Sequence, residues 1–316
     1  MAWLTFSSEG AFVALVCHNA SILFLGAMTR QPFNHELRLE RALEHLQSLE
    51  TEVERWLGRH VYGFLQEFDA QRGQNAIRVM AFGHPPASAN LLISDCLHNL
   101  RSALDNLVYD LALAYNNGNP LPLDVEERVM FPIFETRKLF KSRGAYRIRD
   151  IDPRAQAIIE GLQPYVGGNP KLLWELHELS RVDKHRLLHV TLLGQNETVF
   201  GSSGVNTVVE DVKFGGRAIE PFGPNAIDGT ELVSYRATPV DPSKKMNVYL
   251  QFVFGIAFGQ GSPVSAGESV LGRLSTLRDH IANRVIPPLT PYLTKMPIVR
   301  VSQDLSPLPP VLPSRG

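Results

Sequence analysis

Between residues 35 and 68 apolar side chains recur at alternating steps of three and four: Leu39, Ala42, Leu46, Leu49, Val53 and Trp56, with Phe64 and Phe68 continuing the series. Such steps return to one side of an α-helix, and charged residues fill most of the positions between them. The stretch predicts a long amphipathic helix, about 50 Å if unbroken at about 1.5 Å per residue. A helix of this kind must bury its stripe, against a second long helix of the chain or against another subunit. A homo-oligomer formed through residues 35–68 is therefore one expectation.

After this helix the punctuation changes. Residues 76–83 alternate and predict a short strand, stopped by Pro85-Pro86. Ser88 is placed to cap a second helix that runs to about Tyr115, where Asn116-Asn117-Gly118-Asn119-Pro120 turns the chain. Residues 121–169 are loop-rich, with Phe131-Pro132-Ile133-Phe134 as a buried extended piece and Asp152-Pro153 opening a short helix through Leu162. Pro170 suits the first turn of a further helix, expected to end near Gly194. Beyond it alternation takes over: 198–200, 207–212, 232–237 and 247–257 predict strands, and 265–285 a last helix with Val270, Leu274, Leu277 and Ile281 on one face. Eight prolines without periodicity make residues 287–316 a disordered or extended tail. No regular strand–helix alternation exists to build a parallel sheet, so the class is α+β: a helical bundle with a long N-terminal helix, then a small antiparallel sheet and a C-terminal helix. The segments read as a 1–34 extension, a 35–194 helical domain, 195–286 antiparallel β plus helix, and the 287–316 tail.

Composition narrows the function classes. An apolar fraction of 44% over 316 residues supports a real core. With 31 basic against 32 acidic residues there is no global field to gather nucleic acid or anionic membrane, so any such attraction must be local. Cys17 and Cys96 are too few and too far apart for a disulfide framework or a thiolate metal site, which fits a reducing, cytoplasmic setting. Residues 11–27 are mostly apolar, but His18, Asn19 and Ser21 interrupt them, no Lys or Arg precedes them, and they fall short of the roughly 20 residues a spanning helix needs. No membrane partner is expected. The extension is open to three readings: a buried or disordered segment, a weak anchor, or translation that starts at Met28. Phosphate-loop, nucleophile-elbow and dinucleotide fingerprints are absent, and no cofactor is implied.

Two polar motifs carry the chemistry. Asp95, His98, Arg101 and Asp105 follow at steps of three, three and four, on one face of a helix that is otherwise largely apolar. Inside a bundle such charges survive when paired, so they form either a structural network or a functional site. The second motif gathers His177, Arg181, Asp183, Lys184, His185, Arg186 and His189. His185 and His189 have the spacing of a zinc-binding pair, but Arg186 stands where the zinc-protease pattern needs its general-base Glu, and a cation there opposes a metal. A phosphate or other anion suits the group better, with Asp105 and Glu178 as the intramolecular alternatives for Arg181 or Arg186. If the two helices are antiparallel neighbours, His98, Arg101, Lys184 and His185 can converge on one pocket suited to acid–base work on a phosphodiester without metal. The basic stretch 137–154, with seven Arg or Lys against two Asp and with Tyr146 inside it, would extend that pocket as an RNA track.

The segments Cys96-Leu97-His98-Asn99-Leu100-Arg101-Ser102-Ala103-Leu104-Asp105 and Asp183-Lys184-His185-Arg186, with Phe131-Pro132-Ile133-Phe134 between, resemble a family of uncharacterised bacterial proteins over about residues 35–290. A broader similarity is to HEPN-type helical proteins, whose ribonuclease members carry Arg, a polar residue and then His a few positions on. Here Arg55 to His60 has the spacing but Trp56 replaces the polar neighbour, and Arg181 to His185 is one residue too short. The HEPN resemblance implies binding or cleavage of RNA or a nucleotide without metal; the two polar motifs supply the candidates for it, His98, Arg101 and His185 as catalytic residues and Asp105, Arg181, Lys184 and Arg186 as ligand-binding ones. The alternative is a non-enzymatic binding or assembly protein whose polar motifs are structural.

Overall fold

The computed structural model describes residues 32–59, 61–167, 171–185, 188, 190–195, 206–215, 218–219, 230–243, 253–264 and 267–293. In chain order α1 (Asn34–Leu57) leads into the hairpin β1 (Tyr62–Asp69) and β2 (Gln74–Ala81), then α2 (Ala87–Tyr115). The short α3 (Leu123–Glu126), α4 (Arg137–Leu139) and α5 (Ala145–Arg147) follow, the last two joined through a π-helical turn at Phe140–Gly144. After them come α6 (Pro153–Gly161), α7 (Lys171–Asp183), β3 (Val190–Gln195), β4 (Thr207–Phe214), β5 (Ala218–Ile219), β6 (Thr230–Pro239), β7 (Val253–Phe258) and α8 (Val270–His280).

The periodic stripe holds up to Trp56. Ala42, Leu46, Leu49, Val53 and Trp56 are buried, and α2 lies along them. The surface offered for self-association is thus consumed inside the chain, and any homo-oligomer through residues 35–68 would have to use other side chains. The helix does not continue to Phe68. Gly58 closes it, and Tyr62, Phe64, Gln66 and Phe68 belong to one face of a strand, because residues two and four apart fit alternation as well as they fit a helical turn. Asp69 turns the hairpin by accepting from the backbone N–H of Gln71 (2.9 Å) and Arg72 (3.0 Å), and Gly73 takes the positive φ of +62° that the turn requires.

The class is α+β, with two antiparallel sheets among the described residues: β1-β2-β6-β4 and β5-β3-β7. The strand expected near residues 76–83 is β2, and it pairs with β6, so the stretches 35–194 and 195–286 share a sheet within the one compact unit that begins at Phe33. The expected strand 198–200 lies outside the described residues, and the one expected over 247–257 is described only as β7.

α2 spans the expected range, but Pro86, not Ser88, is its N-cap; the Ser88 hydroxyl instead donates to Glu52 of α1 at 2.6 Å. The α1–α2 pair is also tied by a buried His35–Asp110 contact at 3.0 Å and by Arg38 donating to Asn99 at 3.2 Å. α7 stops at Asp183, not near Gly194, since Val190 and Leu192 enter β3 with their side chains buried. α8 presents Val270, Leu274 and Leu277 to the core, Ile281 is buried in the π-helical turn Ile281–Val285, and Leu289 and Leu293 at the start of the presumed tail are buried too. Among the described residues no helix is long and apolar enough to cross a membrane.

Candidate functional site

The site is built around the extended piece Phe131-Pro132-Ile133-Phe134, which belongs to no sheet and has its backbone satisfied by side chains. Asp105 Oδ1 accepts from the Phe131 N–H (2.9 Å) and from Arg101 Nη2 (2.7 Å), while the same Arg101 nitrogen donates to the Phe131 carbonyl (2.6 Å). At the other end the fully buried Gln163 accepts from the Phe134 N–H (3.0 Å) and donates to the Pro132 carbonyl (2.8 Å). A buried backbone group without a partner is costly, so these four side-chain contacts are what allow a non-sheet segment to sit in the core. The i, i+4 spacing of Arg101 and Asp105 on α2 is therefore a clamp, not a solvated ion pair.

Two further cations gather at this clamp. Gly144 brings the π-helical turn so close to Phe134 that a Cβ there would lie 2.8 Å from its ring. Arg147, at the end of the same helical stretch, lays its guanidinium over the Phe134 ring, 5.2 Å from the centroid. Arg147 is half-buried; burial first, then the like charge of Arg101 and, to a lesser degree, of Arg143, pulls its pKa below the usual arginine range, and Asp105 only partly offsets them. Among the described residues neither Arg143 nor Arg147 has a carboxylate at ion-pair distance, whereas Arg137, Lys141, Arg149 and Arg154 of the same basic stretch all do. Arg101 Nη1 is buried and finds no hydrogen-bond acceptor there.

α7 supplies the facing wall. Ser94 of α2 donates to Asp183 at 2.5 Å, and His177 feels the charges of Arg101 and Arg147, so α7 runs antiparallel to α2 with His177 within electrostatic reach of Arg101. Burial first, and then Arg101, hold the His177 pKa below the ordinary 6.5, which keeps its imidazole neutral near neutral pH. Trp174, half-buried and one turn earlier, has its ring 5.4 Å from that of His177.

The sequence candidates distribute unevenly over this geometry. Arg101 and Asp105 are at its centre. His98 is exposed, with its ring nitrogen 3.4 Å from the Ser102 hydroxyl, and Asp95 is exposed one turn before it. Arg181 forks onto Glu178 with contacts of 3.1 and 2.7 Å, one of the two pairings expected for it. Lys184 and His185 are exposed in the turn that follows α7, beside the Ser94 end of α2. Seven residues separate Ser94 from Arg101, about 10 Å of helix, so of the four residues expected to share a pocket Lys184 and His185 lie toward the Ser94 end of α2, His98 one turn beyond Ser94, and Arg101 farther along. Arg186 and His189 lie outside the described residues, and the helix ends before the His185–His189 spacing acquires any meaning. The members that spacing did not single out are Arg143 and Arg147. His177 belongs to the second polar motif and Arg147 to a charge run, but nothing in the spacing marks which members face inward.

No group of three His, Cys, Asp or Glu side chains that could hold a metal ion occurs among the described residues. Two surface cavities lie elsewhere, one at Tyr115, Arg154 and Tyr292 and one between α1 and α2 at Thr51, Arg55 and Leu91. In the first, Arg154 is already held by Asp152 at 3.0 Å and stacked over Tyr292. Comparison with family models, with curated proteins and with solved structures finds no match to this chain.

Proposed function

We propose that this protein binds a phosphate-bearing ligand, RNA or a nucleotide, at the Arg101–Arg147–His177 cluster, with side-chain cations meeting the phosphate directly. The observation that carries the reading is charge imbalance in a half-buried place: Arg147 sits near Arg101 and Arg143 with only Asp105 opposing them, and Asp105 is already engaged twice. Uncompensated cations in such surroundings are unfavourable, and a phosphate would relieve them through charge-assisted hydrogen bonds worth about 1.5–3 kcal/mol each. His177, neutral and adjacent, is the imidazole best placed to exchange a proton if the ligand is also cleaved. The reading keeps the phosphate chemistry expected from the sequence but moves its imidazole from His98 and His185 to His177.

A second reading has its own observation. The Arg101–Asp105 pair holds Phe131 from both sides, as a purely structural network would, and a binding or assembly protein without enzymatic activity would need no more than that. Thermal shift of the full chain against a panel of single-stranded RNA, nucleotides and pyrophosphate separates the two. The ligand reading expects stabilisation by at least one member, lost in Arg147→Ala although that variant melts within about 2 °C of the parent. No shift with any of them at millimolar concentration would leave the structural reading alone.

A further inference from the structure

We infer that the cavity lined by Tyr115, Asp152, Arg154, Pro291 and Tyr292 is a docking site for a polyproline II segment, and that its occupant is the chain's own Pro307–Pro313. Tyr115 ends α2 and is exposed, and the single 3-10 turn Thr290–Tyr292 packs against that helix. The cavity measures about 170 Å³. Ligand pockets run to about 300–1,000 Å³, whereas about 150 Å³ holds a benzene ring, so the space fits side-chain rings and not a nucleotide. Its two charges are already paired with each other: Asp152 accepts from Arg154 Nε at 3.2 Å and from Nη2 at 3.0 Å, and the guanidinium lies over the Tyr292 ring, 5.3 Å from its centroid. Such a pocket has no surplus cation for a phosphate. It offers aromatic faces to pyrrolidine rings, and tyrosine hydroxyls that can donate to the carbonyls polyproline II leaves unbonded within itself. The occupant follows from where the described residues stop. Leu293, next after Tyr292, is buried, so the segment beyond it leaves from the lip of the cavity. Thirteen residues lie between Leu293 and Pro307, at most about 45 Å of chain and enough to turn back. Although the eight prolines of 287–316 share no common period, Pro307, Pro310 and Pro313 fall three apart, which puts them on one ridge of a helix with three residues per turn. A segment tethered this close meets the cavity at an effective concentration on the order of millimolar.

A fluorescein-labelled peptide of residues 305–316 is titrated, by anisotropy, with the full chain, with the full chain carrying Pro310→Ala and Pro313→Ala together, and with that tail variant carrying Tyr115→Ala as well. In the parent the tethered segment competes with the peptide, so the tail variant, its cavity vacated, is expected to bind the peptide roughly tenfold more tightly than the parent. Tyr115→Ala is expected to abolish that gain. Tyr115 is exposed, so truncating it spares the core, and a melting temperature within about 2 °C of the parent confirms that the fold is kept. Equal affinity of parent and tail variant, or no binding by either at millimolar peptide, overturns the inference. A gain that survives Tyr115→Ala overturns it too, since the peptide then docks elsewhere. Sizing chromatography guards the choice of occupant: a parent that is dimeric at micromolar concentration and becomes monomeric in the tail variant assigns the docked segment to a second copy and overturns its assignment to the same chain.

Discussion

Replacing Asp105 with alanine removes one acceptor and strands two donors. Its Oδ1 takes the Phe131 N–H at 2.9 Å and Arg101 Nη2 at 2.7 Å. Phe131 is completely buried, so its N–H is left without a partner, which costs about 1–3 kcal/mol. The Arg101 side chain is only 15% exposed and loses the counter-charge that Asp105, itself 35% exposed, provides. Removing one partner of a fully buried pair costs about 3–5 kcal/mol, and partial exposure reduces that here to about 1–2. The sum is about 2–5 kcal/mol, and at about 2–4 °C per kcal/mol for a domain of this size the melting temperature falls by about 5 °C or more. Asp105→Asn keeps an acceptor for Phe131 and should lose about half as much. Circular dichroism melts in phosphate-free buffer measure this directly, with Asp95→Ala, exposed and outside the clamp, as the control. An Asp105→Ala melting within 1 °C of the parent would refute the clamp and with it the positioning of Arg101.

Three other outcomes follow from the same geometry. Gly144→Ala should lower the melting temperature and weaken ligand binding together, because the added Cβ must push back the Phe134 ring over which Arg147 lies; unchanged stability would show that the close approach does not matter. Lys184→Ala and His185→Ala should leave both melting and binding as in the parent, and a tenfold loss of affinity in either would return the α7 terminus to the site. His177 has a folded-state pKa below its unfolded 6.5, so the unfolded chain takes up its proton first: stability is intact above about pH 6.5 and declines as the pH drops toward the folded value. A bound phosphodiester favours the imidazolium, so an oligonucleotide should bind more tightly at pH 5.5 than at 7.5; a His177→Ala variant that keeps the same pH dependence contradicts this.

Much of the scaffold was legible because burial imposes period. The stripe from Ala42 to Trp56, the extent of α2, the Asp152-Pro153 start of α6 and the buried face of α8 all came from spacing and caps. The misplaced ends of α1 and α7 share one cause. Phe64 and Phe68, and the apolar run into Val190 and Leu192, fit helix or strand equally, and what decides is pairing: with β2 across a short hairpin in one case, and with β7, distant in sequence, in the other. The site divided similarly. The i, i+4 relation of Arg101 and Asp105 is local and visible, whereas their grip on Phe131, the aim of Arg147 at Phe134 and the approach of His177 to Arg101 depend on separate segments, from 13 to 76 residues apart (134 to 147, 101 to 177), coming together. Lys184 and His185 drew notice by charge density, and density says nothing about which charges remain unpaired.

The central claim is that Arg147 meets a phosphate that Lys184 does not. Its most direct test is the salt dependence of single-stranded RNA binding, followed by anisotropy between 50 and 200 mM salt for the parent, Arg147→Ala and Lys184→Ala. Loss of one phosphate contact from a single strand lowers the slope of log affinity against log salt by about 0.7. Arg147→Ala is predicted to bind more weakly with a slope shallower by about that amount, and Lys184→Ala to follow the parent. Parallel lines of equal affinity for the parent and Arg147→Ala would contradict the account.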